Sequence, residues 1–407
     1  MKKVTFIHAA DLHLDSPMVG LKYLPKKIFE RLQQSTFASF AKIVDAAILH
    51  QVDFVILAGD LFDGEDRSLR AQTRFRKQLE RLAQQQIPVF IIHGNHDHLA
   101  GKWANIAMPQ NAYVFPTEFT SKTIEKPDGT KISLYGFSYP KRHVTERRID
   151  DYFKADGADF HIGLLHGHYE GNSDHGRYAP FSLADLLEKN YDYWALGHIH
   201  KRIHLTEEPP VIYPGNIQGR HQKETGEKGC YLVTLTESNS KLEFIPSADV
   251  IWENASVDAT NATNVAELQV LCRNTVDQLR REAEGILLHL TLQNVALPEA
   301  EKGLLAPQEL IETLQDEEKE EISSFVWPYK LTIEEAHQWE RDHLITEADF
   351  YAELFQAVDT YETIDECLAP LYQHTTARKF ISLPNEAEKN QLLKEAEEML
   401  VQFLKRG

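Results

Sequence analysis

Five short polar segments, each placed directly after an apolar run, are spread over the first 200 residues of the chain. They combine Asp, Asn and His with glycine or leucine, and they are Asp11-Leu12-His13, Gly59-Asp60, Gly94-Asn95-His96-Asp97, Leu165-His166-Gly167-His168 and Gly197-His198-Ile199-His200. Each apolar run is rich in β-branched residues and predicts a buried strand. We therefore expect every polar segment at the carboxyl end of a strand, where α/β sheets carry their binding loops.

The rest of the pattern predicts how the chain is organised. With 407 residues it is too long for one compact domain. Strands are predicted over residues 4–10, 52–58, 87–93, 132–137, 160–166, 192–197, 211–213 and 230–235, and helices near 26–50 and 66–85. This alternation predicts an α/β fold with a βαβαβ opening. After residue 250 the pattern changes to an α+β unit, and from residue 333 onward it is helical.

Charge is distributed unevenly along the chain. Residues 1–250 contain 30 Lys and Arg against 31 Asp and Glu, whereas residues 251–407 contain 13 against 31. Nearly all of the net charge of −19 therefore lies in the last third. Because nucleic acid is attracted by basic surface, we expect a polyanionic substrate to contact the first 250 residues. Local basic clusters there are Lys141-Arg142-His143, Arg147-Arg148, Lys201-Arg202 and Arg220-His221.

Cysteine content and hydropathy predict the compartment. Cys230, Cys272 and Cys367 are far apart and lack metal-type spacing, which is typical of a reducing cytoplasm. The apolar stretch at the start is too short for a signal peptide, and no apolar run has the length of a membrane span. We therefore expect a cytoplasmic protein with no membrane partner.

The polar segments supply carboxylate, amide and imidazole ligands without a thiolate. Such a set favours Mn or Fe over a structural zinc site. Two divalent cations about 3.5–4 Å apart can clamp a phosphate group for in-line displacement. A carboxylate has to bridge them, and Asp60 is the predicted bridge. The competing interpretation is that these histidines cap strands or fill the core.

The order and spacing of the five segments resemble the calcineurin-like metallophosphoesterase superfamily. Gly59-Asp60-Leu61-Phe62-Asp63 resembles its SbcD-like DNA-repair exonuclease branch, and the opening residues 8–17 resemble a YhaO-like subgroup. The resemblance implies two packed mixed β-sheets flanked by helices, a four-layer sandwich, with a smaller α+β cap and a helical C-terminal region. The implied domains are a metallophosphoesterase domain over 1–250, the cap over 251–332 and an acidic helical region over 333–407.

The resemblance also implies the roles of individual residues. One metal would take Asp11, His13, Asp60 and His200, and the other would take Asp60, Asn95, His166 and His198. His96 would protonate the leaving group, with Asp97 positioned to orient or charge it. Asp63 would lie outside the ligand shell. Two Mn ions are expected, with Fe or Zn as alternatives.

The implied function is two-metal hydrolysis of phosphodiester bonds by a DNA exonuclease in DNA repair, with endonuclease activity as a further option. An SbcC-like coiled-coil ATPase is the implied partner, and a homodimer stays open. One alternative is a phosphodiesterase or phosphatase for a small nucleotide or a phosphoprotein. Another is a mainly non-catalytic subunit of an ATPase complex. The last helix carries an apolar stripe, formed by Leu392, Ala396, Met399, Leu400 and Phe403, which would either pack on its own domain or dock the partner.

Overall fold

A computed structural model describes residues 2–64, 68–101, 106–170, 178–318, 323–335, 341–361, 363–372 and 384–406. Backbone contacts divide the chain into two compact units. The large unit consists of Met1–Val257, Gln269–Thr291 and Ala306–Thr332, and the small unit consists of Asp258–Leu268, Leu292–Leu305 and Ile333–Gly407. The division into domains over 1–250, 251–332 and 333–407 stays a prediction.

Fifteen strands and ten α-helices are formed by the described residues. The strands are β1 (Lys3–Ala9), β2 (Phe54–Ala58), β3 (Val89–Ile92), β4 (Ala112–Val114), β5 (Thr120–Glu125), β6 (Lys131–Gly136), β7 (Phe160–His166), β8 (Tyr193–Gly197), β9 (Ile203–Glu207), β10 (Pro210–Tyr213), β11 (Gly229–Thr236), β12 (Ser240–Pro246), β13 (Val250–Asp258), β14 (Gly285–Val295) and β15 (Phe325–Glu335). The helices are α1 (Lys26–Leu49), α2 (Leu69–Gln84), α3 (Leu183–Glu188), α4 (Val265–Leu279), α5 (Glu299–Lys302), α6 (Pro307–Asp316), α7 (Arg341–Glu347), α8 (Asp349–Asp359), α9 (Ile364–Tyr372) and α10 (Glu386–Arg406).

Two six-stranded mixed sheets form the body of the large unit. The first has the order β12-β11-β1-β2-β3-β4, in which β1 to β4 run parallel and β11 and β12 are antiparallel additions. The second has the order β5-β6-β7-β8-β10-β9, with a parallel centre and antiparallel strands at both edges. The predicted α/β fold of two mixed sheets flanked by helices is confirmed.

The central strands are buried on both faces. Successive side chains point to opposite sides of a sheet, so each face packs into a different core. In β2, Val55 and Leu57 face the core that includes Phe40 of α1. The alternate residues Phe54 and Ile56 face a second core, which holds the side chains of the other sheet. A strand covered on both faces reads as a continuous apolar run, which is why these strands could be predicted from the sequence.

Strands β4, β5, β9, β12 and β13 were not predicted. All five lie at the edge of a sheet and bury fewer side chains than the central strands, so their sequences lack a long continuous apolar run. Strand β5, for example, reads TSKTIE and is largely exposed. The predicted start of the helical region at 333 was wrong by several residues, because β15 continues to Glu335 in a third sheet of order β13-β14-β15.

The small unit contains helices α7 to α10 among its described residues. Val401 of α10 is fully buried with Leu344 of α7 and Phe355 of α8. Arg341 pairs with Asp359 at 2.9 Å and with Glu397 of α10. No helix among the residues that the structure describes has the length and apolar character required to cross a bilayer.

Candidate metal centre

The five polar segments lie at the carboxyl ends of β1, β2, β3, β7 and β8. Because these are neighbouring parallel strands within their sheets, their loops meet at one edge of the large unit. Among the described residues, three groups of side chains each bring their potential ligand atoms to within 4.8 Å of one another. The groups are Asp11 with His13 and His200, Asp11 with Asp60 and His166, and His13 with Asp63 and His96.

Several of these residues have left-handed backbone conformations. The φ angles are 51° at Asp11, 42° at His13, 49° at Asp60 and 103° at His198. A non-glycine residue in such a conformation costs about 1–3 kcal/mol and is found where the surrounding structure imposes it. With these backbone conformations, all four side chains point into the same small volume.

The first cluster brings two imidazole rings together edge-on. The Nε2 atoms of His13 and His200 are 3.0 Å apart, and His13 Nε2 is 3.8 Å from Asp60 Oδ2. Nδ1 of His200 lies 2.7 Å from Glu224 Oε1, a contact that holds the ring with Nε2 directed at His13. Burial lowers the pKa of His13 to about 3, so its ring is neutral at neutral pH and can act as a metal ligand. Two imidazole nitrogens directed at each other beside a carboxylate suit a cation.

The second cluster is built around the amide oxygen of Asn95. Oδ1 of Asn95 lies 3.1 Å from His166 Nε2 and 3.2 Å from His198 Nδ1. Nδ1 of His166 donates to the carbonyl of Ala58 at 3.0 Å, which directs Nε2 toward the cluster. Asp60 Oδ2 is 3.5 Å from His166 Nε2. Since the same carboxylate also lies beside the first cluster, its position fits the predicted bridge.

The buried charges of this centre need a counter-ion. Burial raises the pKa of Asp11. Burial alone would lower the pKa of His166, but Asp60 and Asp11 raise it to about 9. A divalent cation would displace that proton and balance both carboxylates. Oxygen and imidazole donors without a thiolate fit two divalent cations, and they do not distinguish Mn from Fe or Zn.

Glycines leave room for the crowded side chains. A Cβ atom on Gly94 would lie 2.6 Å from His166 Nε2, and one on Gly197 would lie 1.9 Å from the carbonyl oxygen of Ala58. Gly59 needs its φ of +91° as well, and a Cβ there would meet His166 Nδ1 at 2.3 Å. Any side chain at these positions would displace His166 or its loop.

His96 lies at the rim of the centre, with 31% of its side chain exposed. Its Nδ1 atom is 3.4 Å from Asp63 Oδ1, and a hydrogen bond with Asp63 raises the pKa of His96. Asp63 Oδ1 is also 3.4 Å from His13 Nδ1 and 3.0 Å from Arg220 Nη1. The carboxylate against the candidate acid is thus Asp63, and its place outside the ligand shell stays a prediction.

Asp97, the predicted partner of His96, connects the loop after β3 with the loop after β2. Its carboxylate accepts hydrogen bonds from the backbone N–H groups of Gly94 at 2.7 Å and Leu61 at 2.9 Å. It also lies 2.8 Å from Nδ1 of His93, which is buried. The roles of His96 and Asp97 in proton transfer stay predictions.

Two supporting residues were missed by the sequence analysis. Glu224 binds His200, as described above, and accepts the side-chain amide of Asn216 at 3.0 Å. Burial alone would raise the pKa of Glu224, but the hydrogen bond with His200 holds it below its usual value. The hydroxyl of Tyr139 donates to the carbonyl of His166 at 2.8 Å. No local pattern marks these contacts, because they join distant segments of the chain.

Comparisons with known proteins agree with this geometry. A sequence model of the family described as calcineurin-like phosphoesterase matches residues 4–202. A metallophosphoesterase named YhaO from Bacillus subtilis (strain 168) is 43% identical over 408 residues, which covers 99% of this chain and 98% of that protein. The chain therefore belongs to the calcineurin-like metallophosphoesterase family, and it is a metal-binding hydrolase.

More distant relatives also match along most of the chain. A DNA double-strand break repair protein Mre11 from Sulfurisphaera tokodaii is 25% identical over 97% of this chain and 96% of its own length. One with the same name from Thermoplasma acidophilum is 23% identical over 68% of this chain and 76% of its own length. A solved dimetal phosphatase from Danio rerio covers 60% of this chain with 11% identity and a TM-score of 0.35, a likeness too weak for an inference.

Proposed function

We propose that this protein is a two-metal DNA exonuclease. The observation that carries the proposal is the convergence of seven side chains from two sheets at one edge of the large unit, with an acid-base residue, His96, at its rim. The seven side chains are those of Asp11, His13, Asp60, Asn95, His166, His198 and His200. When bound, two divalent cations would supply positive charge for the developing negative charge of a phosphoryl group and lower the pKa of a water molecule.

The protein's own residues protonate the leaving group and orient the metal ligands. His96 donates a proton to the leaving oxygen, and general acid catalysis of this kind contributes about 10²–10⁴-fold. Asp63 stabilises the protonated ring, because it raises the pKa of His96. Glu224 fixes the ring orientation of His200 through a 2.7 Å contact, a type of support that raises ligand basicity.

DNA as the substrate is supported by the extent of the similarity to the Mre11 proteins. The family model ends at residue 202, but the similarity to the S. tokodaii protein continues over 97% of the chain. The shared sequence thus includes the segments that follow the phosphoesterase core. On this basis we extend the proposal to action from DNA ends in DNA repair, with Mn as the metal, in the cytoplasm. Endonuclease activity is part of the same proposal.

A small phosphodiester is the second candidate, and the surface charges favour it. Three basic residues of the predicted clusters are paired with carboxylates. Arg147 lies 2.8 Å from Asp185, Arg148 lies 2.8 Å from an aspartate of its own turn, and Lys141 lies 3.4 Å from a nearby glutamate. Cations neutralised in this way attract a polyanion less.

A coiled-coil ATPase is the proposed partner, and α10 is its proposed docking element. The five residues of the predicted apolar stripe are all exposed: Leu392, Ala396, Met399, Leu400 and Phe403. Packing within the small unit uses Val401 instead. An apolar face that the unit's own core does not use supports a partner rather than internal packing.

Hydrolysis by the Mn-loaded protein should be compared on three substrates. They are end-labelled linear duplex DNA, covalently closed circular DNA and a small chromogenic phosphodiester. Digestion of the linear DNA supports the exonuclease, and cleavage of the closed circle would show endonuclease activity in addition. Hydrolysis of the small substrate alone supports the second candidate. No hydrolysis of any substrate would contradict both and favour a non-catalytic subunit.

A further inference from the structure

Arg220 lies at the metal centre although it belongs to none of the five polar segments. Its Nη1 atom is 3.0 Å from Asp63 Oδ1, the oxygen that also lies 3.4 Å from Nδ1 of His96 and from Nδ1 of His13. A single carboxylate oxygen therefore separates the guanidinium from both the candidate acid and a predicted ligand. The backbone N–H of Arg220 donates to Glu224 at 2.7 Å, which fixes the loop that carries it.

The hydrogen bonding of Arg220 is incomplete. Its Nε atom is buried and has no hydrogen-bond partner among the described residues. A buried donor without a partner costs desolvation free energy, and such groups in native structures call for a functional explanation. The side chain keeps 15% exposure, so part of it still reaches the surface of the site.

Another arginine of the large unit shows what a structural pair looks like. Arg31 pairs with Asp249, and both are as buried as Arg220 and its aspartate, with exposures of 14% and 15%. All three guanidinium nitrogens of Arg31 donate: Nε and Nη2 to the Asp249 carboxylate at 2.9 and 3.1 Å, Nη2 to the carbonyl of Ala283 at 2.9 Å and Nη1 to the carbonyl of Ser323 at 3.2 Å. Every guanidinium nitrogen of Arg31 has a partner, whereas Nε of Arg220 has none among the described residues.

We propose that Arg220 is a substrate-contacting residue, whose guanidinium binds a non-bridging oxygen of the phosphodiester while Asp63 holds it beside His96. This inference rests on the phosphodiester hydrolysis proposed above. Arginine suits the task because its planar group binds phosphate through paired N–H donors and stays charged. Negative charge on the phosphoryl oxygens grows in the transition state, so the contact strengthens during reaction.

The contact also explains why an aspartate stands at position 63. An unpaired arginine in this centre would add repulsion to the cations that the site is built to hold. Asp63 offsets that charge and shares one oxygen with the candidate acid. The same carboxylate therefore orients a phosphate-binding group and a proton donor on the same side of the metal centre.

The test compares the same substitution at the two arginines. In the Mn-loaded full-length protein, Arg220→Lys should lower kcat/KM for a chromogenic phosphodiester by about 10- to 100-fold, with Mn content unchanged, since hydrogen bonds between charged groups are of this strength. Arg31→Lys should lower the melting temperature and leave kcat/KM within about twofold. Millimolar guanidinium ion should restore part of the activity of Arg220→Ala and should not affect the wild type.

A binding measurement separates this inference from the proposed function. Calorimetric titration of the Mn-loaded protein with inorganic phosphate should show weaker binding to Arg220→Lys than to the wild type and Arg31→Lys. This readout holds even if the wild type hydrolyses no phosphodiester, which would contradict only the proposed function. Unchanged phosphate affinity and unchanged kcat/KM in Arg220→Lys would overturn the inference. So would a loss of activity that is fully accounted for by loss of Mn.

Discussion

His13 and His200 face each other with their Nε2 atoms 3.0 Å apart, although 187 residues separate them in the chain. Nδ1 of His200 lies 2.7 Å from Glu224 Oε1 and Nδ1 of His13 lies 3.4 Å from Asp63 Oδ1, so each ring has a carboxylate behind it and its Nε2 atom directed at the other ring. Two imidazole nitrogens directed at each other in this way suit a shared cation. The relationship of these two residues is the clearest structural sign of a metal centre.

Loss of the proton donor should depend on the leaving group. His96→Asn should lower kcat by about 10²–10⁴-fold on a dinucleotide, whose leaving alkoxide needs a proton. The loss on a nitrophenyl ester should be smaller, because nitrophenolate leaves without protonation. Steady-state kinetics on both substrates, with Mn content measured in parallel, checks this. An equal loss on both would speak against proton donation.

The pH profile should report the contact between Asp63 and His96. Asp63 raises the pKa of His96, so the acid form persists to higher pH than in a free histidine. In Asp63→Asn the pKa falls, and the alkaline decline of kcat/KM should therefore move to lower pH. Asp249→Asn, which removes the partner of Arg31, is the matched control and should leave the profile in place. An unshifted decline in Asp63→Asn would contradict the assignment.

Glu224 should influence activity through the affinity of the centre for metal. Glu224→Gln removes the carboxylate that holds His200 Nδ1, and outer-shell substitutions of this kind cost about 10–100-fold in metal affinity. Glu227→Gln, an exposed neighbour in the same loop, should have no effect. Mn titration followed by activity provides the affinity of each variant. Equal Mn affinity of the two would exclude the supporting role.

The exposed stripe of α10 should matter only for the partner. Leu400→Glu combined with Phe403→Glu should leave folding and hydrolysis of the small phosphodiester intact, since both side chains are exposed. Co-purification with a coiled-coil ATPase should be lost. Val401→Glu, which buries a charge in the core of the small unit, should instead lower the melting temperature. If the double variant still binds the ATPase, α10 is not the docking element.

Much of the large unit could be predicted because its information is local. The strands that carry Asp60 and His166 are continuous apolar runs, and the turn residues follow them directly. Such runs indicate strands that are buried on both faces. Because each of these strands runs parallel to its neighbours, their carboxyl ends lie at a common edge. The edge strands were missed because β5 and β12 keep many side chains in solvent.

The supporting contacts could not be predicted in this way. Glu224 reaches His200 and Arg220 reaches Asp63 only because the loop after β10 folds back over the metal centre. The spacing of these residues in the sequence does not predict the conformation of that loop. The family resemblance implied Asp97 as the partner of His96, whereas the carboxylate beside His96 is that of Asp63, in the loop after β2.

Anomalous diffraction from crystals of the Mn-loaded protein shows directly whether the centre holds two metals. Two Mn peaks are expected about 3.5–4 Å apart at the edge where the five loops meet. The Asp60 carboxylate should lie between the peaks, and crystals of Asp60→Ala should lose one or both of them together with the hydrolytic activity. A single peak in the wild type, or two peaks and full activity in Asp60→Ala, would contradict the account.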